Sequence, residues 1–497
     1  MKTLCISAAA LAAATTVNAQ TIVQMDSDWY SAGQEYIQAE LARMANTAQA
    51  KNVILMIADG NGVGTNYATR LFMGQQEGGL GEDYVLPYEQ PGFYSALVKT
   101  YNINAQTPDS APTAGSMNTG VKQRFNLINL GEDAIHDDCS TVEGNELTLF
   151  SELMTEMGKS VGIVSTARIT HATPAAVYAK TANRNWEDEI PEGCTAQADI
   201  ATQLIDAMEA GTVDFAMGGG GRYFLPEGME LGGLGGHRPD DTNLIERAEG
   251  LGAAFVTDQA GFDGLDLASD APVLGLYENS HMLYEADREN EPSLAEMTAA
   301  AIEYLSKNEN GYYLEVEAGR IDHGNHAGNA YRTLTDGVAW AEAVALADEM
   351  TDDADTLIVV TADHEHAIAF NGYCGRGSPI TGLCYDVAQT GIEHSGEALT
   401  AADGKPYTVI GYLNGAGSLL TEQSDGSFAA PEGRAELTNE EAMDPDFLQQ
   451  AMLPMSSETH SGEDVAVYAK GPWAHLFDGT IEQNIIFHVM MHAATAE

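Results

Sequence analysis

Residues 356–366 read Thr-Leu-Ile-Val-Val-Thr-Ala-Asp-His-Glu-His, and this stretch decides the fold that the sequence predicts. Its first part, Thr356 to Ala362, is uncharged and rich in β-branched residues, which is typical of a strand buried on both faces of a parallel sheet. Asp363 and His364 follow at the strand end, where the turning backbone can aim both side chains at one point. Ligands of open α/β sheets bind at this edge, and Asp with His is a ligand set for zinc. Taken alone, the pair fits two polar residues in a turn equally well.

Further apolar runs along the chain have polar side chains next to them. In most cases the polar residues follow the run, and in one case they precede it. Because these strands alternate with helices, predicted at 151–159 and 330–350, the sequence predicts an α/β fold. We expect a doubly wound, mostly parallel central sheet flanked by helices, with one more amphipathic helix at 29–48 packed across the main body. The additional strands are 52–58 before Asp59, 160–166 before Arg168, His171 and Thr173, a strand from Val213 that runs into glycines, 312–317 ending at Glu317, and a strand from Asp464 just after His460.

Ser110 stands where a helix is predicted to begin. Asp109 is a good N-cap and Pro112 suits a first helical turn, so the Ser110 hydroxyl would lie among free N–H groups that favour an anion. A serine in this position can also be only a capping residue. No G-x-S-x-G elbow surrounds it, so activation by a metal ion is the remaining route to a nucleophile.

Two other motifs indicate ligand binding. Asp322 and His326 are four residues apart, so on a helical turn they share one face and can chelate a metal ion. Arg184, in a loop after the strand at 160–166, could bind a phosphate group through two parallel hydrogen bonds, although a surface ion pair is the alternative.

Composition excludes some functions. The chain has 22 Lys and Arg against 74 Asp and Glu, a net charge of −52, which excludes a basic nucleic-acid-binding surface and attraction to anionic lipids. The acids are spread along the chain, and 44% hydrophobic residues are enough for a core. The pattern therefore predicts a solvated acidic surface of the halophilic type, suited to salty water.

The first residues predict export. Residues 1–19 have the charge, short apolar run and Val17-Asn18-Ala19 cleavage site of a signal peptide, and no later stretch is long and apolar enough to be a membrane anchor. We expect a periplasmic or secreted protein. Its four remaining cysteines predict two disulfides, with three pairings open and pairing between sequence neighbours favoured: Cys139, Cys194, Cys374 and Cys384.

Residues from 59 to 460 contribute to a single predicted site, so residues 20–497 are expected to form one catalytic domain. An acidic, loop-rich excursion is predicted at about 225–300 and an insertion at about 373–440. In the excursion, Tyr277, Glu278 and Glu291 could hold a calcium ion through oxygen ligands, and solvated acids are the alternative.

Together these motifs resemble the ordered motif set of the alkaline phosphatases over nearly the whole mature chain. The motifs are Asp59-Gly, Asp109-Ser-Ala, His171-Ala-Thr-Pro, Asn183-Arg-Asn-Trp, Glu317-x4-Asp322-His-Gly-x-His326, Thr361-Ala-Asp-His364 and Glu458-Thr-His460-x-Gly-Glu-Asp.

The resemblance implies a two-zinc, one-magnesium phosphomonoesterase that forms a covalent phosphoserine at Ser110. It implies that Arg184 binds the phosphate and that His171 and His323 flank the magnesium site, as in animal-type members. The implied metal ligands are Asp322, His326 and His460 for the first zinc, Asp363, His364 and Asp59 for the second, and Asp59, Thr173 and Glu317 for magnesium.

The resemblance also implies a homodimer, a Cys139–Cys194 disulfide and a crown-like role for the insertion that holds Cys374 and Cys384. It matches the calcium residues only in part, because Glu291 replaces an Asp. The alternatives are a phosphodiesterase or sulfatase of the same superfamily, and a non-catalytic acidic protein that binds cations.

Overall fold

The computed structural model describes residues 23–496, so the predicted signal peptide at 1–19 lies outside the described residues. The described residues divide into two compact units, 23–45 and 46–496. In the first unit, helix α1 spans Asp28–Ala42 and has no buried residue. It ends before the predicted Ala48, because the backbone is extended at Arg43 and the Asn46 side chain accepts the Ala48 N–H in a local turn. The packing predicted for this helix stays a prediction.

The second unit is built on one large sheet. The strands of the described residues are β1 Asn52–Ala58, β2 Tyr94–Lys99, β3 Ser160–Arg168, β4 Phe215–Gly219, β5 Glu230–Leu231, β6 Leu234–Gly235, β7 Ala254–Val256, β8 Val273–Leu276, β9 Tyr312–Ala318, β10 Thr356–Ala362, β11 Glu365–His366, β12 Ile368–Phe370, β13 Ile410–Gly415, β14 Thr421–Glu422, β15 Phe428–Ala429, β16 Ala451–Pro454, β17 His460–Ser461, β18 Val465–Lys470 and β19 Thr480–Glu482. Ten of them form the large sheet, in the order β19-β2-β18-β10-β1-β9-β3-β4-β8-β7.

The helices lie along the chain between these strands. They are α2 Val63–Gln76, α3 Ser110–Thr119, α4 Phe150–Glu156, α5 Ala172–Ala175, α6 Ile200–Glu209, α7 Leu244–Gly250, α8 Gln259–Asp263, α9 Leu294–Leu305, α10 Arg320–His326, α11 Ala330–Met350, α12 Asn439–Ala442 and α13 Ile485–Thr495.

The core lies on both faces of the sheet. Alternate residues of β1 face opposite sides, so Val53, Leu55 and Ile57 pack with α3 and α13, whereas Ile54 and Met56 pack with α9 and α11. This double burial explains why the strands are continuous apolar runs, and it confirms the predicted α/β fold with a mostly parallel sheet flanked by helices.

Strand β18 runs antiparallel to both of its neighbours in the sheet, and this direction helps to assemble the site. Strand β10 pairs in parallel with β1 but antiparallel with β18, where Thr361 lies opposite Val467. The amino end of β18 therefore lies at the carboxyl end of β10. For this reason His460, which precedes β18 rather than following a strand of the large sheet, reaches the same edge of the sheet as Asp363.

Two covalent cross-links are present, Cys139–Cys194 and Cys374–Cys384, which confirms the predicted pairing of sequence neighbours. Such bonds are typical of proteins in an oxidising compartment. Among the described residues, no helix is long and apolar enough to cross a membrane.

Candidate active site

Ser110 is the first residue of α3, and the burial of that helix determines its position. Ala111, Ala114 and Met117 pack into the core beneath it. The Ser110 hydroxyl oxygen lies 3.1 Å from Nε2 of His364 and 3.5 Å from Oδ1 of Asp59. The structure thus places this hydroxyl at the carboxyl edge of the sheet, among residues that follow β1 and β10.

The first pocket, formed by Asp59, Asp363 and His364, is fully buried. Nε2 of His364 lies 3.3 Å from both Asp59 Oδ1 and Asp363 Oδ2, and the Gly60 N–H donates to Asp363 Oδ1 at 3.0 Å. Burial, together with the charge of Asp363, raises the pKa of Asp59, and burial lowers the pKa of His364, so the ring is neutral. Asp59 Oδ2 and His364 Nδ1 find no hydrogen-bond partner within residues 23–496.

The second pocket, formed by Asp322, His326 and His460, has the spacing of a metal site. His326 Nε2 lies 3.0 Å from His460 Nε2 and 3.3 Å from Asp322 Oδ1, and His460 Nε2 lies 3.4 Å from the same oxygen. Ligand atoms around tetrahedral zinc are separated by about 3.3 Å, given zinc–nitrogen distances of about 2.0 Å.

Hydrogen bonds set the orientation of both histidines in the second pocket. His326 Nδ1 donates to the Glu458 carbonyl at 2.6 Å, and His460 Nδ1 donates to the Pro108 carbonyl at 2.9 Å. Because a carbonyl oxygen only accepts, each Nδ1 carries a proton, and Nε2 is the ring nitrogen left to bind a cation. The two Nε2 atoms face each other 3.0 Å apart, an arrangement that a cation between them would stabilise.

The third pocket lies beside the first and shares Asp59 with it. It brings together carboxylate oxygens of Asp59 and Glu317 and a ring nitrogen of His171 within 4.8 Å of one another. Glu317 accepts a short hydrogen bond from Ser165, yet Glu317 Oε1 and Thr173 Oγ1 are buried without a partner in the described chain. Burial raises the pKa of Glu317 to about 7. These oxygens suit a hard cation, and the nitrogen of His171 would also suit a transition metal.

Arg184 is held next to the nucleophile candidate. One end of its guanidinium group forms an ion pair with Asp109, the N-cap of α3, and Nη2 donates to His171 Nε2 at 2.9 Å. The side chain is mostly buried, so its direction is set by these two partners. Because Arg184 binds Asp109, the residue directly before Ser110, a phosphate on Ser110 would lie next to the guanidinium group.

The sequence predicted no role for His366 or for the side chain of Glu458. His366 lies between two carboxylates, with Nε2 2.8 Å from Asp322 Oδ1 and Nδ1 2.6 Å from Glu458 Oε2. Burial disfavours the charged ring, but Glu458 and Asp322 outweigh this and raise the pKa of His366 to about 10. With both nitrogens engaged, His366 orients Asp322. The sequence does carry one indication of this role. His366 is two residues from His364, and alternate residues of an extended segment can face the same site.

Three histidines form another group, His171, His281 and His323, and the sequence predicted no role for His281. The rings of His281 and His323 lie 3.9 Å apart. Nη1 of Arg168 lies 2.5 Å from His281 Nε2, and Arg184 donates to His171. Because two of the three rings contact the guanidinium groups of Arg168 and Arg184, this cluster orients the two arginines.

The residues predicted to hold calcium are only partly assembled. Glu291 is buried, accepts the Leu283 N–H, and has one oxygen without a partner among the described residues. Burial raises its pKa to about 7, with a further contribution from Glu278. In the described part of the chain, neither Glu278 nor Glu291 belongs to a group of three metal-ligating side chains.

Comparisons with known proteins agree with this geometry. The family model for alkaline phosphatase matches residues 50–496. The tissue-nonspecific alkaline phosphatase of Gallus gallus is 39% identical over 490 residues, which cover 94% of this chain and 89% of the relative. The alkaline phosphatase of Gadus morhua is 39% identical over 468 residues, covering 90% and 92%.

A solved structure has the same fold. The alkaline phosphatase of Thermus thermophilus superposes with a TM-score of 0.63 at 23% identity, covering 92% of this chain and 93% of that one. The sequence matches, and not this fold likeness, carry the assignment. The chain belongs to the alkaline phosphatase family and has that family's activity, the hydrolysis of phosphate monoesters.

Proposed function

We propose that the three pockets hold two zinc ions and one magnesium ion, and that Ser110 is the nucleophile. One zinc ion would bind Asp322, His326 and His460 in the second pocket. The other zinc ion would bind Asp59, Asp363 and His364 in the first pocket. Magnesium would bind Asp59, Thr173 and Glu317. The facing Nε2 atoms of His326 and His460, 3.0 Å apart in a mostly buried pocket, are the observation that carries this assignment.

When bound, the zinc ions would lower the pKa of the Ser110 hydroxyl and stabilise the departing oxygen of the ester, and magnesium would neutralise the third pocket. The chain supplies the rest of the chemistry. Ser110 Oγ attacks phosphorus in line with the leaving group and forms a covalent phosphoserine, which water then hydrolyses from the opposite side.

Positioning of the phosphate falls to two features of the chain. The guanidinium group of Arg184 binds two non-bridging oxygens, since its fork matches their geometry. The N-terminus of α3 presents unpaired N–H groups and the positive end of the helix dipole to the same phosphate. His171 accepts from Arg184 and keeps its guanidinium turned towards the site.

The remaining expectations concern location and assembly. We infer export to the periplasm or outside the cell, because the signal-type N-terminus and two disulfides agree. A homodimer is also proposed, since Leu413, Met452 and Leu453 on paired strands β13 and β16 are exposed. Calcium at Tyr277, Glu278 and Glu291, and the crown-like insertion at about 373–440, stay predictions.

Replacing Ser110 by Ala tests the mechanism. Turnover of an aryl phosphate should fall about 10³-fold or more, because no other hydroxyl replaces the nucleophile, while the zinc content stays that of the parent protein. Ser116→Ala is the matched control, since Ser116 is buried on the same helix and donates only to the Pro112 carbonyl. Parent-like turnover by Ser110→Ala would overturn the assignment, and faster turnover of a diester or sulfate ester than of a monoester would favour the rival esterases.

A further inference from the structure

The side chain of Glu365 connects two loops that carry the proposed metal ligands. Glu365 directly follows Asp363 and His364 and is 4% exposed. Its carboxylate reaches the start of α2, the helix that follows the Asp59 loop. Oε1 accepts from the Thr65 hydroxyl at 2.8 Å, and Oε2 accepts from the Gly64 N–H at 2.8 Å and the Thr65 N–H at 3.4 Å.

Helix α2 needs an acceptor at this end. Its N-cap is Gly62, which has no side chain to accept from the first turn, and within the described chain that turn contains no acidic residue. The first N–H groups of a helix have no partner inside the helix, and leaving them buried and unpaired costs stability. Glu365, 301 residues away from Gly64 in sequence, supplies the acceptor.

The approach is close, and glycines permit it. A Cβ at Gly62 would come within 2.5 Å of the Glu365 carboxylate, and one at Gly64 within 3.3 Å. The same carboxylate also accepts the His366 N–H at 3.1 Å. Each of these groups donates to Glu365, so its carboxylate acts as the acceptor in every one of these hydrogen bonds.

No ladder bond holds the two loops together. The register between β1 and β10 ends at the pair Ala58 and Ala362, so Asp59 and Asp363 lie just beyond it. In that region the Gly60 N–H donates to Asp363, and Glu365 binds Gly64 and Thr65. These contacts connect the segment after β1 with the segment after β10.

We propose that Glu365 is a positioning residue that sets the separation of Asp59 from Asp363 and His364, and so governs how long an ion stays in the first pocket. This inference rests on the proposed function, because it assumes a zinc ion there. Groups that orient metal ligands from outside the ligand set typically change metal affinity about 10-fold to 100-fold when they are replaced.

A Gln at this position would test the claim with little change of shape. Its amide NH₂ would face one of the N–H or O–H donors that now bind the carboxylate, so part of the connection is lost. Thr65→Val removes the hydroxyl from the other side of the same contact. A helix cap far from the site, the Glu296 carboxylate that binds the Ser293 N–H at the start of α9, offers the control Glu296→Gln.

The measurement is the rate at which a chromophoric chelator removes zinc from the fully loaded enzyme. We expect one of the two zinc ions to leave about 10-fold faster in Glu365→Gln and in Thr65→Val, with the double variant no faster than the more affected single variant. Glu296→Gln should release zinc at the parent rate. Urea unfolding of all variants measures any general loss of stability.

Parent-like zinc release in Glu365→Gln and Thr65→Val would overturn the inference, as would equal acceleration in Glu296→Gln. If Glu365→Gln does not fold, Thr65→Val alone decides between these outcomes. A parent enzyme that binds no zinc would instead refute the proposed function, so the two failures are distinguishable.

Discussion

Glu315 and Glu317 lie two residues apart on β9, point to the same face of the sheet and are both fully buried. Their surroundings differ. Around Glu315 the neighbours are donors, with Asn118 and the Tyr313 hydroxyl donating to Oε2 at 2.8 and 3.0 Å. Around Glu317 they are carboxylates and an imidazole, with Ser165 donating to Oε2.

Burial alone therefore does not distinguish a functional carboxylate from a structural one. It raises the pKa of both, to about 8 for Glu315 and about 7 for Glu317. The distinguishing feature is the chemistry of the neighbours: two side chains donate to Glu315 in the middle of the strand, whereas the acceptors gathered around Glu317 at its end are best satisfied by a cation.

The substitution Glu317→Gln is expected to give the largest change in activity and metal content. Activity should fall about 100-fold or more and magnesium should be retained poorly, because an amide is a weaker ligand for a hard cation. Glu315→Gln should keep parent activity within about 2-fold, since its amide can still accept from Asn118. Equal losses in both variants, measured by turnover and metal content, would remove the distinction.

Arginines provide a second, smaller contrast between the site and the rest of the molecule. Arg184→Lys should lower kcat/KM about 10-fold or more, because lysine cannot bind two phosphate oxygens in parallel. Arg238 is buried and binds Asp199 and Asp240, so Arg238→Lys should lower the free energy of unfolding and leave kcat/KM close to that of the parent. If Arg184→Lys changes only stability, Arg184 does not bind the phosphate.

Glu315 should be visible in the pH dependence of stability. Its ordinary pKa is 4.5 and its folded pKa is raised to about 8, so between these values the folded state holds a proton that the unfolded state lacks. Stability contributed by this group is therefore present below pH 4.5 and is lost as pH rises towards 8, by at most about 1.4 kcal/mol per pH unit.

Urea unfolding of the parent and of Glu315→Gln at about pH 5 and about pH 8 isolates the contribution of Glu315 to the free energy of unfolding, because the amide does not titrate. The difference in unfolding free energy between the two proteins should shift in favour of the variant at the higher pH. A difference that does not change with pH would show that Glu315 is ionised in the folded protein.

The smallest effect concerns the whole surface. A locally positive pocket, once zinc is bound beside Arg184, lies in a protein of net charge −52, so a phosphate ester is repelled at long range. Raising NaCl from about 10 mM to about 0.5 M should increase kcat/KM about 2-fold, because salt screens this repulsion. A flat or falling profile would contradict this prediction.

Much of the fold was predictable because its signals are local. The continuous apolar runs that become β1, β3, β9 and β10 and the helix at Ala330–Met350 match the prediction closely. The residues at the ends of parallel strands could also be grouped, since those ends meet at one edge of the sheet. Asp322 and His326 required only helical spacing.

The residues that act through others could not be predicted in this way. Glu458 binds His366 from 92 residues away, and Glu365 binds Thr65 across 300 residues, so no local spacing records either contact. His281 reaches His323 only because the segment after β8 lies beside β3 and α10. Such roles depend on which neighbours burial leaves unsatisfied, which only the folded chain reveals.

The most direct measurement of the central claim is anomalous X-ray scattering at the zinc edge from crystals of the purified enzyme. We expect two zinc peaks, one bound by Asp322, His326 and His460 and the other by Asp59, Asp363 and His364, with the Ser110 oxygen facing the second peak. Absence of zinc from these pockets in active crystals, or zinc bound only elsewhere, would contradict this expectation.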